Sequence, residues 1–367
     1  MNARRLLIAH LLRGRFVPWP VRWRRRWLAT RSRRRRAKTD PRWITAYAIP
    51  LWLAGREYDF AAEIRRAVDA LPVAGSIDRE RARHLAADIA RRTGTAQNNR
   101  VGPIALEHVP GLLTLRGWKQ LQRILGYCGL FPDAVAAYRV ALHELGADVR
   151  STASATASDP RLRALVAART PLIVGKATAR LSEDSVAGPI VRLNILNLPP
   201  ADLRQRCDVL YLNSRQSQTL DSRLLAGDPA VTSLVQRTAL FGVGGGSLLR
   251  DPERLLMTRG SPPLPFGGGL LGIRAIHDML EAGAATVHLV GFDFYLTAAI
   301  RKSNHAMCAQ LGSTVIWGQL DWVQRLHREG RITADPAGLE VLTLSLEHYA
   351  ERLESLYGDW SGERTTR

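Results

Sequence analysis

Short apolar runs that end in glycine or asparagine are the feature that most constrains the fold of this chain. Between residues 170 and 295 they alternate with stretches of helical apolar spacing, such as 270–283. Short apolar strands that alternate with helices predict a parallel sheet covered on both faces. We therefore expect an α/β, Rossmann-like fold. The predicted strands lie within TPLIVG (170–175), GPIVRLN (188–194), CDVLYLN (207–213), TALFGVGGG (238–246) and TVHLVGFDFY (286–295).

The residues that end these runs are candidates for ligand binding. Gly175, Asn194, Asn213 and Gly291 would lie at the carboxyl ends of parallel strands, where α/β proteins form their ligand crevice. A glycine there lets backbone N–H groups approach a phosphate, and asparagine offers both a donor and an acceptor. Each of these residues also has a purely structural interpretation, as a tight turn or a strand-end cap.

Two further features belong to the same predicted edge. Gly267, Gly268 and Gly269 precede the helical stretch that begins at residue 270. Open N–H groups at a helix N-terminus favour an anion. Asp293 stands between two phenylalanines after the fifth run. Its carboxylate either caps backbone N–H groups of the loop or contacts substrate.

The sequence divides into three regions. Residues 1–40 form a basic tail rich in Arg and Trp, and residues 41–165 have mostly helical apolar spacing. Residues 166–367 contain the α/β pattern. The segment 151–160 (STASATASDP) is small and polar and ends in proline, as linkers often do.

The positive charge of the chain is concentrated in the tail. The formal net charge is +19, and residues 1–39 hold thirteen Arg, one Lys and no acid. Arginine interleaved with leucine and tryptophan suits an anionic membrane surface. A solvated tail, nucleic-acid binding and an organelle transit sequence are the alternatives, and nucleic acid is not expected as the main partner.

Neither a membrane span nor a disulfide framework is expected. The longest apolar run, 44–55, is shorter than the roughly 20 residues a spanning helix needs and contains Pro50. The short apolar stretch at 6–12 is followed by arginines, which argues against a secretory signal. Three widely spaced cysteines indicate structural thiols in a reducing compartment. We predict a cytoplasmic protein, with peripheral attachment to the inner membrane face through the tail.

Three stretches of the C-terminal region resemble the motifs of the sialyltransferases, glycosyltransferase family 29. Residues 172–194 (LIVGKATARLSEDSVAGPIVRLN), followed by CDVLYLN, resemble the large sialylmotif. Residues 265–295 (PFGGGLLGIRAIHDMLEAGAATVHLVGFDFY) resemble the small sialylmotif, and LDWVQRLHREGRITAD, which begins at Leu320, resembles the region of the last motif. The resemblance covers about residues 168–345.

The resemblance implies a GT-A-like sialyltransferase fold and an inverting glycosyltransferase. The donor would be sialic acid or a related acid activated by CMP, and the acceptor a glycan hydroxyl. A donor with one phosphate needs no metal, and residues 166–367 contain no Asp-x-Asp pair suited to holding one. No cofactor is therefore expected. The predicted donor-binding residues are Gly175, Lys176, Arg192, Asn194, Asn213, Gly267, Gly268 and Gly269.

The general base is the least determined part of the predicted site. The family places a histidine in its last motif, and His305 is the first histidine after the GFDFY strand end and precedes GRI (330–332). We expect His305 to be the base, with Asp293 as a second catalytic candidate. Alignment on GRI would instead put Trp317 near that position. The sequence also departs from the family at FGGG (266–269), where Ser-Thr-Gly is usual.

Two other functions remain open at the level of the sequence. One is a nucleotide- or polysaccharide-binding protein that has kept the fold without catalysis. The other is a pyrophosphokinase-like nucleotide transferase, which would require a metal and a cluster of carboxylates.

Overall fold

The computed structural model describes the chain over residues 106, 113–146, 159–175, 187–197, 203–243, 254–256, 262–266, 269–297 and 304–358. The basic tail and most of the region before residue 113 lie outside these ranges, as do Lys176, Gly267 and Gly268. The predictions made for those residues therefore remain predictions.

The described residues belong to two compact units that alternate along the chain. Residues 159–297 and 320–343 form a sheet unit, while 106–146, 304–319 and 344–358 form a helical unit. The predicted C-terminal domain, 166–367, is continuous in sequence, whereas the compact units are not. The difference arises because helices late in the chain pack on helices from before the linker, and sequence periodicity does not report such long-range contacts.

Six strands of the sheet unit form one parallel sheet, which confirms the predicted α/β class. Each of the five predicted runs contains a strand, and the sixth strand begins at Ile332, the last residue of GRI. Ile173 pairs with Val191 on one side and with Leu289 on the other. The strands are β1 (Leu172–Val174), β2 (Ile190–Leu193), β3 (Val209–Leu212), β4 (Leu240–Val243), β5 (Val287–Val290) and β6 (Ile332–Ala334), in the order β4-β3-β2-β1-β5-β6.

Helices occur in both units, and several of them begin with a recognisable cap. The helices are α1 (Leu115–Tyr127), α2 (Phe131–Leu145), α3 (Pro160–Val166), α4 (Ser214–Leu225), α5 (Pro229–Arg237), α6 (Leu271–Glu281), α7 (Asn304–Thr314), α8 (Ile316–Arg328), α9 (Pro336–Thr343) and α10 (Leu346–Tyr357). Asp159 and Asp228 cap α3 and α5, and each precedes a proline at the first helical position.

The sheet is buried on both faces. Leu210, Leu212 and Phe241 pack in one apolar cluster with side chains of α4 and α5. Tyr211 lies between Leu210 and Leu212 and faces the other side of the sheet, toward α6, where its hydroxyl donates to Asp278. Leu193 of β2 also faces α6 and lies beside Gly272. Burial on both sides explains why β1, β2 and β3 have no exposed position.

The helical unit contains α1, α2, α7 and α10, and its helices approach closely. A Cβ on Gly126 of α1 would lie 2.6 Å from the Gly312 Cα of α7, so both helices need glycine at this contact. Buried tryptophans are hydrogen-bonded: Trp118 Nε1 donates to Glu144 at 3.0 Å, and Trp317 Nε1 donates to Gln122 at 3.0 Å.

Within the described ranges, no helix combines the length and the apolar character needed to cross a bilayer. Cys128, Cys207 and Cys308 are all buried as free thiols. Burial raises the pKa of Cys207 to about 12, so this thiol stays protonated near neutral pH.

Candidate functional site

The strand order of the sheet unit creates one topological switch point, between β1 and β5. From β1 the strands follow outward in chain order through β2, β3 and β4, and the chain then returns to place β5 on the other side of β1. In open α/β sheets, ligands bind outside the carboxyl ends of the strands at such a point. Here the two strand ends are Gly175 and Gly291, which follow directly after Val174 and Val290.

Gly175 is held against the end of the neighbouring strand. Its N–H donates to the Val290 oxygen at 2.7 Å, and a Cβ on it would lie 2.3 Å from the Gly291 oxygen. The contact between two backbones therefore accounts for the missing side chain. Gly175 does lie at the predicted edge, but the space beside it is occupied by protein.

Gly291 forms a turn that is anchored by an acid from the neighbouring strand. Its φ of 67° is in the left-handed region that favours glycine. The Gly291 N–H donates to Asp335 Oδ2 at 2.8 Å, and the Gly338 N–H at the start of α9 donates to Asp335 Oδ1 at 2.9 Å. One carboxylate thus joins the end of β5 to the beginning of α9.

Asp335 is a residue of this edge that the sequence reasoning missed. Its signal was present, because Asp335 precedes Pro336 directly after an apolar run, and Asp-Pro is a common helix start. That signal predicts the cap on α9. The bond to Gly291, 44 residues earlier, could be found only from the strand order.

Asp293 organises its own turn. Its Oδ1 accepts the Tyr295 N–H at 3.0 Å, and its Oδ2 accepts the Thr297 N–H at 3.1 Å and the Thr297 hydroxyl. Phe294 and Tyr295 have positive φ, so this turn is strained and is held by the carboxylate. Of the two roles predicted for Asp293, loop capping is the one its contacts display.

Asn194 and Asn213 lie together at the ends of β2 and β3, as predicted. Asn194 has a positive φ of 52°, and its Oδ1 accepts the Asn213 N–H at 3.0 Å. Asn213 in turn caps α4, because its Oδ1 accepts the Gln216 N–H at 2.9 Å. Both carboxamide oxygens are therefore used in the fold, whereas their NH₂ groups make no hydrogen bond to the described residues.

The N-terminus of α6 lies beside the same strand ends. A Cβ on Gly272, in the first turn of α6, would lie 2.8 Å from the Phe292 ring and 3.3 Å from Leu193. Leu270 occupies the N-cap position, and its side chain makes no capping hydrogen bond. The predicted helix start is thus located next to the end of β5. Of the preceding glycines, Gly269 is described and is exposed.

The structure does not bring Arg192 to this edge. Arg192 is buried in β2, and its Nε donates at 2.8 Å to the Arg206 oxygen, which belongs to the segment before β3. That segment lies at the amino ends of the parallel strands, opposite the proposed crevice. A strand position alone predicts neither the direction nor the partner of such a long side chain.

His305 and Trp317 both belong to the helical unit. His305 is the second residue of α7, and its side chain is outside the described part of the structure. Trp317 is fully buried and hydrogen-bonded to Gln122, so it has a structural role. Among the described residues there is no group of three or more His, Cys, Asp or Glu side chains that could hold a metal ion.

Comparisons with known proteins identify no relative of this chain. No model of a protein family matches it. A search of curated proteins gives no match, and no solved structure matches it either. The resemblance to the sialyltransferases therefore rests on the short motifs alone.

Proposed function

We propose that this chain is a glycosyltransferase that resembles the sialyltransferases and takes a CMP-activated donor. It would transfer sialic acid or a related acid to a hydroxyl of a glycan acceptor, with inversion and without a metal. The observation that carries the proposal is the uncapped N-terminus of α6 beside the switch point between β1 and β5. The motif resemblance supplies the class of donor.

The donor phosphate would bind at the N-terminus of α6. The first N–H groups of a helix have no partner within the helix, and the helix dipole adds about half a positive charge there. Because Leu270 offers no capping oxygen, an anion does not have to displace one. The NH₂ groups of Asn194 and Asn213 would then donate to oxygens of the ribose or the base.

The transfer step requires a base for the acceptor hydroxyl. The base takes the hydroxyl proton, the hydroxyl oxygen attacks the anomeric carbon, and CMP leaves with the bonding electron pair. Asp293 already accepts three hydrogen bonds that hold its own turn, so its oxygens are engaged in the fold. His305 is therefore the stronger candidate, and Asp293 the second.

A non-catalytic binding protein is the second candidate function. It is favoured by one observation: Asp293 and Asp335, the described carboxylates after β5 and β6, both hold backbone N–H groups. The same edge would then bind a nucleotide or an acidic polysaccharide without transferring it.

A thermal-shift panel of CMP, UDP, GDP and ATP, each with and without magnesium, tests the proposal. A ligand that binds only the folded state raises the melting temperature by mass action. We expect stabilisation by CMP that is independent of magnesium. Stabilisation by ATP with magnesium alone would instead support a pyrophosphokinase-like transferase. Binding of CMP without donor hydrolysis or transfer would support the non-catalytic alternative.

The basic tail would attach the protein to an anionic membrane surface. Deletion of residues 1–39 should release the chain from acidic liposomes and leave donor hydrolysis unchanged. Binding of the full chain should also weaken with salt, since charges are screened within about 10 Å at 0.1 M. Liposome binding that survives the deletion, measured by co-sedimentation, would contradict this role.

A further inference from the structure

Arginines are concentrated at the amino ends of the strands in the sheet unit. The described segments that lead into the six strands contain six arginines and two acids, Asp208 and Glu329. These segments are residues 167–171, 187–189, 203–208, 237–239, 282–286 and 328–331. We call the six arginines the basic edge: they are Arg169, Arg204, Arg206, Arg237, Arg328 and Arg331.

Hydrogen bonds hold these segments side by side. The Val287 N–H donates at 3.0 Å to the Arg331 oxygen, where β5 and β6 begin. Arg206 Nη2 donates at 3.3 Å to the Gly188 oxygen, in the segment before β2. Neighbouring strands are about 4.8 Å apart, so six strands make an edge roughly 24 Å wide. The arginines precede β1, β3, β4 and β6 and are therefore spread over the whole width of the sheet.

The two acids of these segments are already engaged. Asp208 Oδ2 accepts the Ile190 N–H at 2.8 Å and forms an ion pair with Arg206 at 2.9 Å. Glu329 lies 3.9 Å from Arg325 of α8, four residues earlier in the chain. Neither acid therefore neutralises the other arginines of the basic edge.

The helix dipole accounts for part of the basic edge. Arg237 and Arg328 stand in the last turns of α5 and α8, where a cation offsets the partial negative charge of the helix end. Arg169, Arg204 and Arg331 lie outside the helices and are exposed. None of these three side chains has an ion pair with a residue in the described part of the chain. Their charges are therefore available at the surface.

The opposite edge of the sheet has the opposite charge. The described segments that follow β1, β2, β3, β5 and β6 are residues 175, 194–197, 213, 291–297 and 335. Their charged residues are Asp293 and Asp335. The sheet unit is thus polarised along the strand direction, with its positive end at the amino edge.

We propose that the basic edge lies against an anionic lipid surface. Such a surface attracts clustered arginines by charge and needs no specific pocket. Single-stranded nucleic acid is held by stacked aromatic side chains, and a duplex receives a helix or ribbon in its groove. The segments of the basic edge contain no Phe, Tyr, Trp or His and consist of loops and helix ends. The lipid surface is therefore the better match.

This contact would give the sheet unit a defined orientation on the membrane. With the amino edge against the lipid, the carboxyl edge and the start of α6 face away from it, toward solvent. The surface belongs to the folded sheet unit and not to the tail, and the inference does not depend on the glycosyltransferase proposed above.

Co-sedimentation of the full chain with vesicles of phosphatidylserine and phosphatidylcholine tests the inference. We expect Arg169→Gln combined with Arg331→Gln to weaken binding about tenfold or more, because each cation near an anionic surface adds to the affinity. Arg169→Lys combined with Arg331→Lys keeps both charges and should bind within about twofold of the unsubstituted chain. This conservative pair separates a loss of charge from a loss of structure.

The matched control removes two charges from the helical unit. Arg139→Gln combined with Arg352→Gln, both at exposed positions, should weaken vesicle binding by less than about twofold. Equal losses in the two Gln pairs would assign the binding to the tail or to net charge and would overturn the proposal. It would also be overturned if the full chain did not bind these vesicles, or if Arg169→Gln with Arg331→Gln weakened binding to duplex DNA and not to vesicles.

Discussion

Single carboxylates hold the backbone at the carboxyl edge of the sheet. Asp335 joins the turn after β5 to the first turn of α9, and Asp293 holds the turn that follows. Backbone N–H groups buried near strand ends need a partner, and a carboxylate accepts two or more of them at once. Substitution at Gly175 would be a poor probe of this edge, because any side chain there meets the Gly291 oxygen.

At the scale of single residues, Asp335→Asn should destabilise the sheet unit. The amide NH₂ cannot accept a hydrogen bond, so the N–H of Gly291 or of Gly338 loses its partner. We expect the free energy of unfolding in urea to fall by about 1–3 kcal/mol. The matched change Glu340→Gln, at an exposed position on α9, should be nearly neutral. Equal stability of the two variants would show that the carboxylate bridge contributes nothing.

At the scale of elements, the start of α6 differs from the other described helix starts of the sheet unit. Helices α3, α4 and α5 of the sheet unit each have an Asp or Asn at the N-cap, and its side chain accepts a backbone hydrogen bond from the first turn of the helix. Helix α6 instead has Leu270 at its N-cap, whose backbone is extended as an N-cap requires but whose side chain cannot accept a hydrogen bond. A capping residue introduced at this position would compete directly with a bound phosphate.

Leu270→Asp should therefore separate stability from binding. A capping carboxylate stabilises a helix by about 0.5–2 kcal/mol, and its charge would repel a phosphate at the same N–H groups. We expect CMP affinity, measured by calorimetry, to fall at least tenfold in a variant that remains folded. Leu270→Asn provides the control, since it caps without charge and should weaken binding less. CMP binding that Leu270→Asp leaves intact would place the nucleotide elsewhere.

At the scale of the whole molecule, the proposed donor residues and the proposed base belong to different units. The strand ends and the start of α6 are in the sheet unit, whereas His305 is in α7 of the helical unit. Segments 304–319 and 344–358 follow the sheet strands in sequence yet pack with α1 and α2. The helical unit is therefore assembled from segments on both sides of the sheet strands in sequence.

His305→Ala tests whether the helical unit supplies the base. Transfer should fall by about 100-fold or more with little change in CMP affinity, because a general base acts on the acceptor and does not hold the donor. The limb of the pH profile near the ordinary imidazole pKa, about 6.5, should also disappear. His348→Ala, an exposed histidine of α10, is the control and should keep full activity. Retained activity in His305→Ala would leave Asp293 as the next candidate.

Local sequence patterns were enough to predict the strands and the edge at which they end. Each apolar run at 170–175, 188–194, 207–213 and 286–295 contains a strand of the parallel sheet, because hydrophobic periodicity and terminal Gly or Asn are local properties. The direction of the strands followed from the helical stretches between them. Asn194 and Asn213 could be placed together for the same reason.

Contacts between distant segments set which strand ends are neighbours and which residues they hold. The position of β5 beside β1 sets Gly175 against Gly291 and brings Asp335 to the same turn, 44 residues away along the chain. Other long-range contacts direct Arg192 toward the amino ends of the strands. They also place His305 in the helical unit. These outcomes depend on contacts between distant segments, whose free energy comes from packing and backbone hydrogen bonds that no local pattern encodes.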